Sequence, residues 1–250
     1  MHYCVLEVEL AAKRKQRSFF HRNAVPIDAP QARLALFMRS VRESPELGKL
    51  VLSLRMSYMM REANKAEIAR TVSVLPNLRY VDLPAGIFSD EPSCGVLKQE
   101  LMARCPDIRR MSYRQGSEGT FSQLPVVRPW AELEVLEIAG LQVEAGSLRL
   151  VLGSLPKVHD LTLEDLPWLD DSSFDPSQPL PWFPAVRRLA LINTPSVNTD
   201  CILSFLSVSA NKNSLQSLTL SSTGVPPSTL HQILSAAPKL RELLVTQEVS

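Results

Sequence analysis

The chain has 250 residues, 45% of them hydrophobic, and a formal net charge of +1. This length allows one or two domains, and the apolar fraction is sufficient for a continuous core. Nine glycines and four widely spaced cysteines exclude a Gly-rich linker protein and a disulfide scaffold. No apolar run reaches the roughly 18 residues of a membrane span, so we expect no membrane partner.

The first 45 residues predict a strand, a basic loop and a helix. Tyr3–Leu10 alternates apolar and polar residues, and Gln31–Glu43 has apolar residues at helical spacing. Glu7 and Glu9 argue against a signal peptide, so we expect an intracellular protein, cytoplasmic or nuclear. The run Lys13–Arg17 could be a nuclear signal or a phosphate-contacting patch, although such runs are more often solvated loops.

From residue 47 onward, the apolar spacing φ-x-x-φ-x-φ recurs eight times, with first anchors 25 to 31 residues apart. A proline stands two residues before six of the anchors and predicts the end of a preceding helix. The three apolar positions are Leu47/Leu50/Leu52, Leu78/Val81/Leu83, Ile108/Met111/Tyr113, Leu133/Leu136/Ile138, Val158/Leu161/Leu163, Val186/Leu189/Leu191, Leu215/Leu218/Leu220 and Leu240/Leu243/Val245.

This pattern and period are typical of leucine-rich repeats. The predicted fold is therefore an α/β leucine-rich-repeat solenoid, with parallel strands on its concave face and helices or loops on its convex face. We expect one domain over residues 1–250, in which 1–45 is an N-terminal strand, basic loop and capping helix and 46–250 holds the repeats. We expect the chain to be a monomer.

The segments between the strands divide into two kinds. Apolar stripes predict helices over Ala66–Leu75, Gly95–Arg104, Ala145–Leu155, Thr199–Val208 and Ser228–Ala237. Residues 114–129 and 166–185 have no such stripe and contain several prolines. Both are expected to be loops on the convex side.

Strand residues alternate, so the neighbours of the buried anchors should face outward and form a concave binding surface. The predicted partner-binding residues there are Tyr80, Asp82, Arg110, Arg114, Glu137, Asp160, Thr162, Glu164 and Arg188. Their mixed charge suits a polar protein surface and not nucleic acid, which requires a basic stripe. An alternative partner-binding loop contains Trp168, Phe174 and Trp182, but we favour the interpretation that its aromatic residues fold back onto the core.

Enzyme motifs are missing from the sequence. There is no G-x-G-x-x-G, G-x-S-x-G or H-E-x-x-H, and the four histidines are scattered. His159 precedes Asp160, but adjacent strand residues are expected to face opposite sides. We therefore expect no catalytic residues, cofactor or metal site, and reduced cysteines in the core. A small-molecule α/β enzyme is the distant alternative.

The order of elements and the phrases LPNLRYVDL, LPKVHDLTLED, APKLRELLV and VNTDCILSFL resemble the repeat region of fungal F-box/leucine-rich-repeat proteins. The resemblance implies a substrate-recognition module of a cullin ubiquitin ligase. Only a strand and a basic loop precede Gln31, so the F-box itself is expected to be absent and this chain is not expected to bind the ligase adaptor directly. The alternative is a stand-alone interaction or regulatory scaffold unconnected to ubiquitin.

Overall fold

The computed structural model describes residues 4–8, 29–56, 65–83 and 88–247. The chain forms two compact units. Unit 1 comprises Met1–Ile87 and Pro92–Ile108, and unit 2 comprises Phe88–Glu91 and Arg109–Ser250. Both units are α/β, with parallel strands joined by helices, which confirms the predicted class. The prediction of a single domain stays a prediction, and the basic run Lys13–Arg17 lies outside the described residues.

Unit 1 contains three strands, which pair in parallel in chain order. Its α1 buries Phe37, Met38 and Val41, which confirms the predicted apolar face. The elements are β1 (Cys4–Val8), α1 (Ala29–Glu43), α2 (Pro45–Leu50), β2 (Val51–Met56), α3 (Lys65–Val72), β3 (Tyr80–Asp82), a 3-10 turn (Pro92–Cys94) and α4 (Gly95–Arg104).

The first predicted repeat, Leu47/Leu50/Leu52, has the wrong register, because Leu54 occupies the anchor position predicted for Leu50. Leu47 and Leu50 are 48% and 60% exposed, whereas Leu54 is buried and lies opposite Val81 of β3. The reason is the proline at position 45, which occupies the first turn of α2. Proline is favoured there because its fixed φ suits a helix start. The helix uses residues 45–50, and the strand begins only at residue 51.

Unit 2 contains six strands in parallel, again in chain order. The elements are β4 (Arg110–Arg114), α5 (Glu118–Ser122), α6 (Leu124–Val127), β5 (Val135–Ala139), α7 (Ala145–Gly153), β6 (Asp160–Glu164), α8 (Asp171–Phe174), β7 (Arg188–Thr194), α9 (Thr199–Ser207), α10 (Ser209–Ser214), β8 (Ser217–Thr223), a 3-10 turn (Pro227–Thr229), α11 (Leu230–Ala236) and β9 (Glu242–Thr246).

The predicted anchors of unit 2 face the core in register. One ladder joins Met111, Leu136, Leu161, Leu189, Leu218 and Leu243, and the next joins Tyr113, Ile138, Leu163, Leu191, Leu220 and Val245. From β4 to β8 these side chains are at most 2% exposed. Full burial of one such side chain contributes roughly 1.5–3 kcal/mol, so the ladders make a large contribution to the stability of the unit. The anchors of β9 are only half-buried.

At or just beyond the ends of β5, β6, β7 and β8, one residue at an equivalent position has a left-handed backbone conformation. These residues are Gly140, Asp165, Asn193 and Ser222, with φ of 66°, 53°, 50° and 51°. Glycine, asparagine and aspartate tolerate this conformation better than other residues. The Asn193 amide donates a 2.6 Å hydrogen bond to Asp165 Oδ1, which links two of these turns.

The predicted helices are confirmed to within a few residues. Asn198 caps α9, because its side-chain oxygen accepts a 3.1 Å hydrogen bond from the backbone N–H of Cys201. The prediction that residues 114–129 and 166–185 lack helix is wrong, since α5 and α6 lie in the first segment and α8 in the second. These helices are too short to show a periodic stripe. The Asp90 carboxylate, 29 positions upstream of Gly119, caps α5 through a 2.6 Å hydrogen bond from the Gly119 N–H.

The corrected register of unit 1 predicts opposite effects for two nearby leucines. Leu54→Ala should lower the free energy of unfolding by about 2–5 kcal/mol, because it leaves a cavity at a buried anchor. Leu50→Ala should change it by less than about 0.5 kcal/mol, because that side chain is mostly in solvent. Urea unfolding of both variants measures the difference. A larger loss at position 50 than at position 54 would restore the register Leu47/Leu50/Leu52.

Candidate functional site

The outward residues of the six strands of unit 2 form three continuous rows. The register places each residue opposite its equivalents on the neighbouring strands. The first row is Arg110, Val135, Asp160, Arg188, Ser217 and Glu242. The second is Ser112, Glu137, Thr162, Ala190, Thr219 and Leu244. The third is Arg114, Ala139, Glu164, Ile192, Ser221 and Thr246. We call these three rows the outward face.

A hollow of about 320 Å³ lies on the outward face over the first and second rows. It crosses the five strands from β4 to β8, a width of roughly 19 Å at the usual strand spacing. Its floor is made by small side chains, because Thr162, Ala190 and Thr219 stand side by side in the second row. The charged residues Arg110, Glu137, Asp160 and Arg188 line it as well.

Two arginines of the first row form ion pairs across neighbouring strands at the hollow. The Arg110 guanidinium on β4 reaches Glu137 on β5 with an N–O distance of 2.5 Å. The Arg188 guanidinium on β7 reaches the Asp160 carboxylate on β6. The two guanidiniums therefore contact carboxylates on adjacent strands. The Arg188 side chain is 67% exposed and that of Asp160 only 11%, so the accessible charge at this pair is the cation.

Asp160 is the charged residue of the outward face that the protein encloses most. Its Oδ2 accepts a hydrogen bond from Arg188, and its Oδ1 lies 3.0 Å from His159 Nδ1. Burial by itself would raise the pKa of this carboxyl group, but the hydrogen bonds from Arg188 and His159 outweigh burial and hold the pKa below its ordinary value. Asp160 is therefore an ionised structural group rather than an exposed contact residue.

The expectation that His159 and Asp160 face opposite sides is wrong. The strand β6 begins at Asp160, so His159 precedes it and does not follow the strand alternation. The imidazole lies between two carboxylates, with Nε2 at 4.0 Å from Glu134. Glu134 in turn is paired with Arg109 at 2.8 Å. The result is a charge network along the starts of β4–β7, and it holds the first row of the outward face in place.

The structure divides the predicted partner-binding residues into three groups. Arg110, Glu137, Asp160, Thr162 and Arg188 line the hollow. Arg114 and Glu164 belong to the third row of the outward face, beside it. Tyr80 and Asp82 are in β3 of unit 1, where Asp82 is paired with Arg55 at 3.2 Å.

Six further residues line the hollow: the inward anchors Leu161 and Leu189, and four outward residues that the predicted site omitted, Val135, Ala190, Ser217 and Thr219. The strand alternation already places these four outward. Their small or uncharged side chains gave no chemical signal, yet the lack of bulk at Ala190 and its neighbours opens the hollow. A row of small residues at equivalent repeat positions was the signal available in the sequence.

Most of the aromatic residues in the alternative loop, residues 166–185, pack against the core, which is the interpretation that we favoured from the sequence. Phe174 and Phe183 are buried and stack with ring centroids 5.1 Å apart, and Phe205 packs edge-on against both. Trp168 is half-buried and donates a 2.7 Å hydrogen bond to the Leu141 carbonyl. Of the three residues predicted in this loop, only Trp182 is exposed, at 46%.

A buried arginine fixes this loop on α7. Arg149 is 1% exposed, and its guanidinium donates hydrogen bonds to the carbonyls of Asp175, Leu180 and Pro181 at 2.8, 3.0 and 3.2 Å. Its Cζ atom also lies 5.8 Å from the Trp182 ring centroid. Gly153 allows the close approach of the loop, since a Cβ there would come within 2.3 Å of Pro181 Cβ.

Cys94, Cys105 and Cys201 are buried. Burial raises the pKa of Cys105 and of Cys201 to about 12, so both remain thiols at neutral pH. Within the described residues, no group of three or more His, Cys, Asp or Glu side chains is placed to hold a metal ion. No helix there is both long and apolar enough to span a membrane.

A scan of protein-family models found no match to the sequence, and a search of curated proteins found none either. The outward face must therefore be interpreted from its own geometry.

The surroundings of Asp160 predict a pH-dependent contribution to stability. A carboxyl group whose pKa is lowered on folding stabilises the protein above its unfolded pKa, and this effect is lost as pH falls through the folded pKa. At neutral pH, Asp160→Asn should cost about 1–3 kcal/mol of unfolding free energy, because it removes charged hydrogen bonds. The cost should shrink in acid. Urea unfolding at a series of pH values measures it.

Glu164→Gln is the matched control for Asp160→Asn, because Glu164 is on the same strand and forms no ion pair with a described residue. Its effect should stay within about 0.5 kcal/mol at every pH. An Asp160→Asn cost that is the same at neutral and acidic pH would contradict the role given to the Arg188 and His159 contacts.

Proposed function

We propose that this chain is a non-enzymatic protein-binding scaffold whose outward face receives the partner. The observation that carries the proposal is the in-register alignment of outward residues from six strands, with a hollow across five of them. Stacked repeats use such extended surfaces for binding proteins. The repeat period and the left-handed turns at equivalent positions support the finer proposal of a leucine-rich-repeat solenoid.

The chemistry of the outward face supports a protein partner. Arg110, Arg114 and Arg188 are balanced by Glu137, Asp160, Glu164 and Glu242, so the face has no basic stripe for nucleic acid. The part over β7 and β8 is uncharged apart from Arg188. Polar pairs beside a hollow with a small-residue floor fit a partner that inserts a side chain between charged contacts.

The charged groups at the hollow are suited to recognition rather than proton transfer. Each of the two carboxylates that line it is paired with an arginine, and the pKa of Asp160 is below its ordinary value. A general base requires a pKa near the working pH. This supports the binding proposal over the small-molecule enzyme.

The resemblance to F-box/leucine-rich-repeat proteins supports a more specific proposal, that the partner is a substrate presented to a ubiquitin ligase. In this role the outward face would capture the substrate. An intracellular location, cytoplasmic or nuclear, is part of the same proposal. A stand-alone scaffold would use the same face without ubiquitin-ligase components, and copurifying proteins distinguish the two.

Filling the hollow is the direct test of the proposed face. Partners would first be identified by affinity capture of the full chain followed by mass spectrometry, and their affinity for purified variants would then be measured. Ala190→Lys should weaken binding by at least about tenfold, because a long charged side chain occupies the floor. Its stability should change by less than about 0.5 kcal/mol, since the side chain extends into solvent.

Two controls make this test specific. Leu150→Lys adds the same charge on α7, at a side chain that is 47% exposed, and should leave affinity unchanged. Trp182→Ala removes the exposed aromatic of the alternative loop. If Trp182→Ala weakens binding and Ala190→Lys does not, the loop is the binding site and the proposal for the outward face is wrong.

A further inference from the structure

The two ion pairs at the hollow expose their cations more than their anions. The Arg188 side chain is far more exposed than that of Asp160, and the Arg110 and Glu137 side chains are 44% and 28% exposed. In each pair one terminal guanidinium nitrogen, Nη2, donates to the carboxylate. A guanidinium has five N–H donors, so each arginine retains donors for another group. The formal charges at the hollow balance, but the charge that a partner meets is positive.

Further hydrogen-bond donors surround Ala190. Thr162 and Thr219 lie directly beside it on the neighbouring strands β6 and β8. Arg188 is two positions earlier on the same strand, so its side chain is on the same face. Both threonines are half-buried at the hollow, and neither hydroxyl forms a hydrogen bond with a described residue. The small Ala190 side chain leaves the space between these donors open.

The acidic side chains nearest to these donors are already occupied within the protein. The two oxygens of Asp160 contact Arg188 and His159. Glu242, two strands from Arg188, accepts a 2.9 Å hydrogen bond from Ser217 Oγ. A cation entering the hollow would have to compete with an arginine for an enclosed carboxylate. An anion would instead find donors that no described residue uses.

We propose that the hollow receives the carboxylate of an aspartate or glutamate side chain of the partner, which lies over Ala190. Arg188 forms the ion pair with this carboxylate, and the hydroxyls of Thr162 and Thr219 donate to its oxygens. Hydrogen bonds to an ionised acceptor are roughly twice as strong as neutral ones. This inference rests on the proposed function, because it specifies what the outward face recognises.

The spacing of the arginines favours a carboxylate over a phosphate. Phosphorylated segments are recognised by clusters of arginine. Here Arg110 and Arg188 are three strands apart, which places their Cα atoms about 14 Å from each other. One arginine whose charge is partly balanced by Asp160 matches the single charge of a carboxylate.

A phage-displayed library of random heptapeptides supplies the probe. Phage selected on the full chain should be enriched in Asp or Glu at one peptide position. The selected peptide is then synthesised, and its Kd is measured by fluorescence anisotropy. An analogue in which Gln or Asn replaces the acidic residue should bind at least about tenfold more weakly, because it cannot form the charged hydrogen bonds.

Two substitutions at one position separate charge from steric blocking. Ala190→Lys and Ala190→Glu both fill the floor of the hollow, so the proposed function predicts weaker binding for both. The carboxylate predicts that Ala190→Glu weakens binding at least about tenfold more than Ala190→Lys, because like charges are then opposed. Equal losses for the two variants would overturn the carboxylate and leave the outward face as the binding surface. If neither variant affects binding, the outward face is wrong as well.

The donors are tested one kind at a time. Arg188→Gln should weaken peptide binding at least about tenfold, and Thr162→Val/Thr219→Val, which keeps the side-chain shapes, at least about threefold. Arg187→Gln is the matched control, because Arg187 is exposed, does not line the hollow and forms no ion pair with a described residue. It should change Kd by less than about twofold at roughly 0.15 M salt, where screening acts over about 8 Å. Circular dichroism checks that every variant is folded.

Two further results would overturn the proposal. Selected peptides could lack an acidic residue and still lose affinity with Ala190→Lys, which would keep the outward face but give the hollow another ligand. A phosphoserine analogue could bind more tightly than the acidic peptide, which would assign the hollow to phosphate.

Discussion

In-register pairing of equivalent strands is the constraint on which the rest of unit 2 depends. Because Leu136, Leu161, Leu189 and Leu218 lie opposite one another, one side of every strand is committed to the core. A shift of one residue would exchange the two faces of a strand and expose a leucine that contributes roughly 1.5–3 kcal/mol. The same register gathers Thr162, Ala190 and Thr219 into the floor of the hollow. The strand register therefore determines both the stability of unit 2 and the geometry of the candidate site.

The sequence predicted those parts of the structure that depend on repetition. The spacing of seven of the eight apolar triplets located the strands, and the alternation rule placed Arg110, Glu137, Asp160, Thr162 and Arg188 at one hollow. Both inferences are local, since they require only a period and the two-sided geometry of a strand. The left-handed residues also repeat, as Gly140, Asp165, Asn193 and Ser222, and aligning the repeats one position further would have revealed them.

Most features that the sequence did not predict depend on contacts distant in sequence, and a few depend on local effects that the repeat pattern does not show. The helix α1 ends before Pro45 as predicted, but Pro45 also begins α2, which delays the strand. The cap of α5 comes from Asp90, and the loop on α7 is fixed by Arg149, whose partners are 26 to 32 residues away. Asp160 was expected to be an exposed contact residue, but its partners Arg188 and His159 enclose it. Pairing of this kind is decided by the fold and not by residue type.

The most direct test of the central claim is a disulfide between outward residues that the register places opposite each other. Neighbouring strands bring such Cα atoms to about 4.8 Å, within the range that a disulfide spans. The double variant Ala190→Cys/Thr219→Cys should crosslink under mild oxidation, as seen by mass spectrometry of its peptides. The pair Ala190→Cys/Ser221→Cys, offset by two residues on the same face, should crosslink far more slowly. Faster crosslinking of the offset pair would contradict the register, and with it the outward face and its hollow.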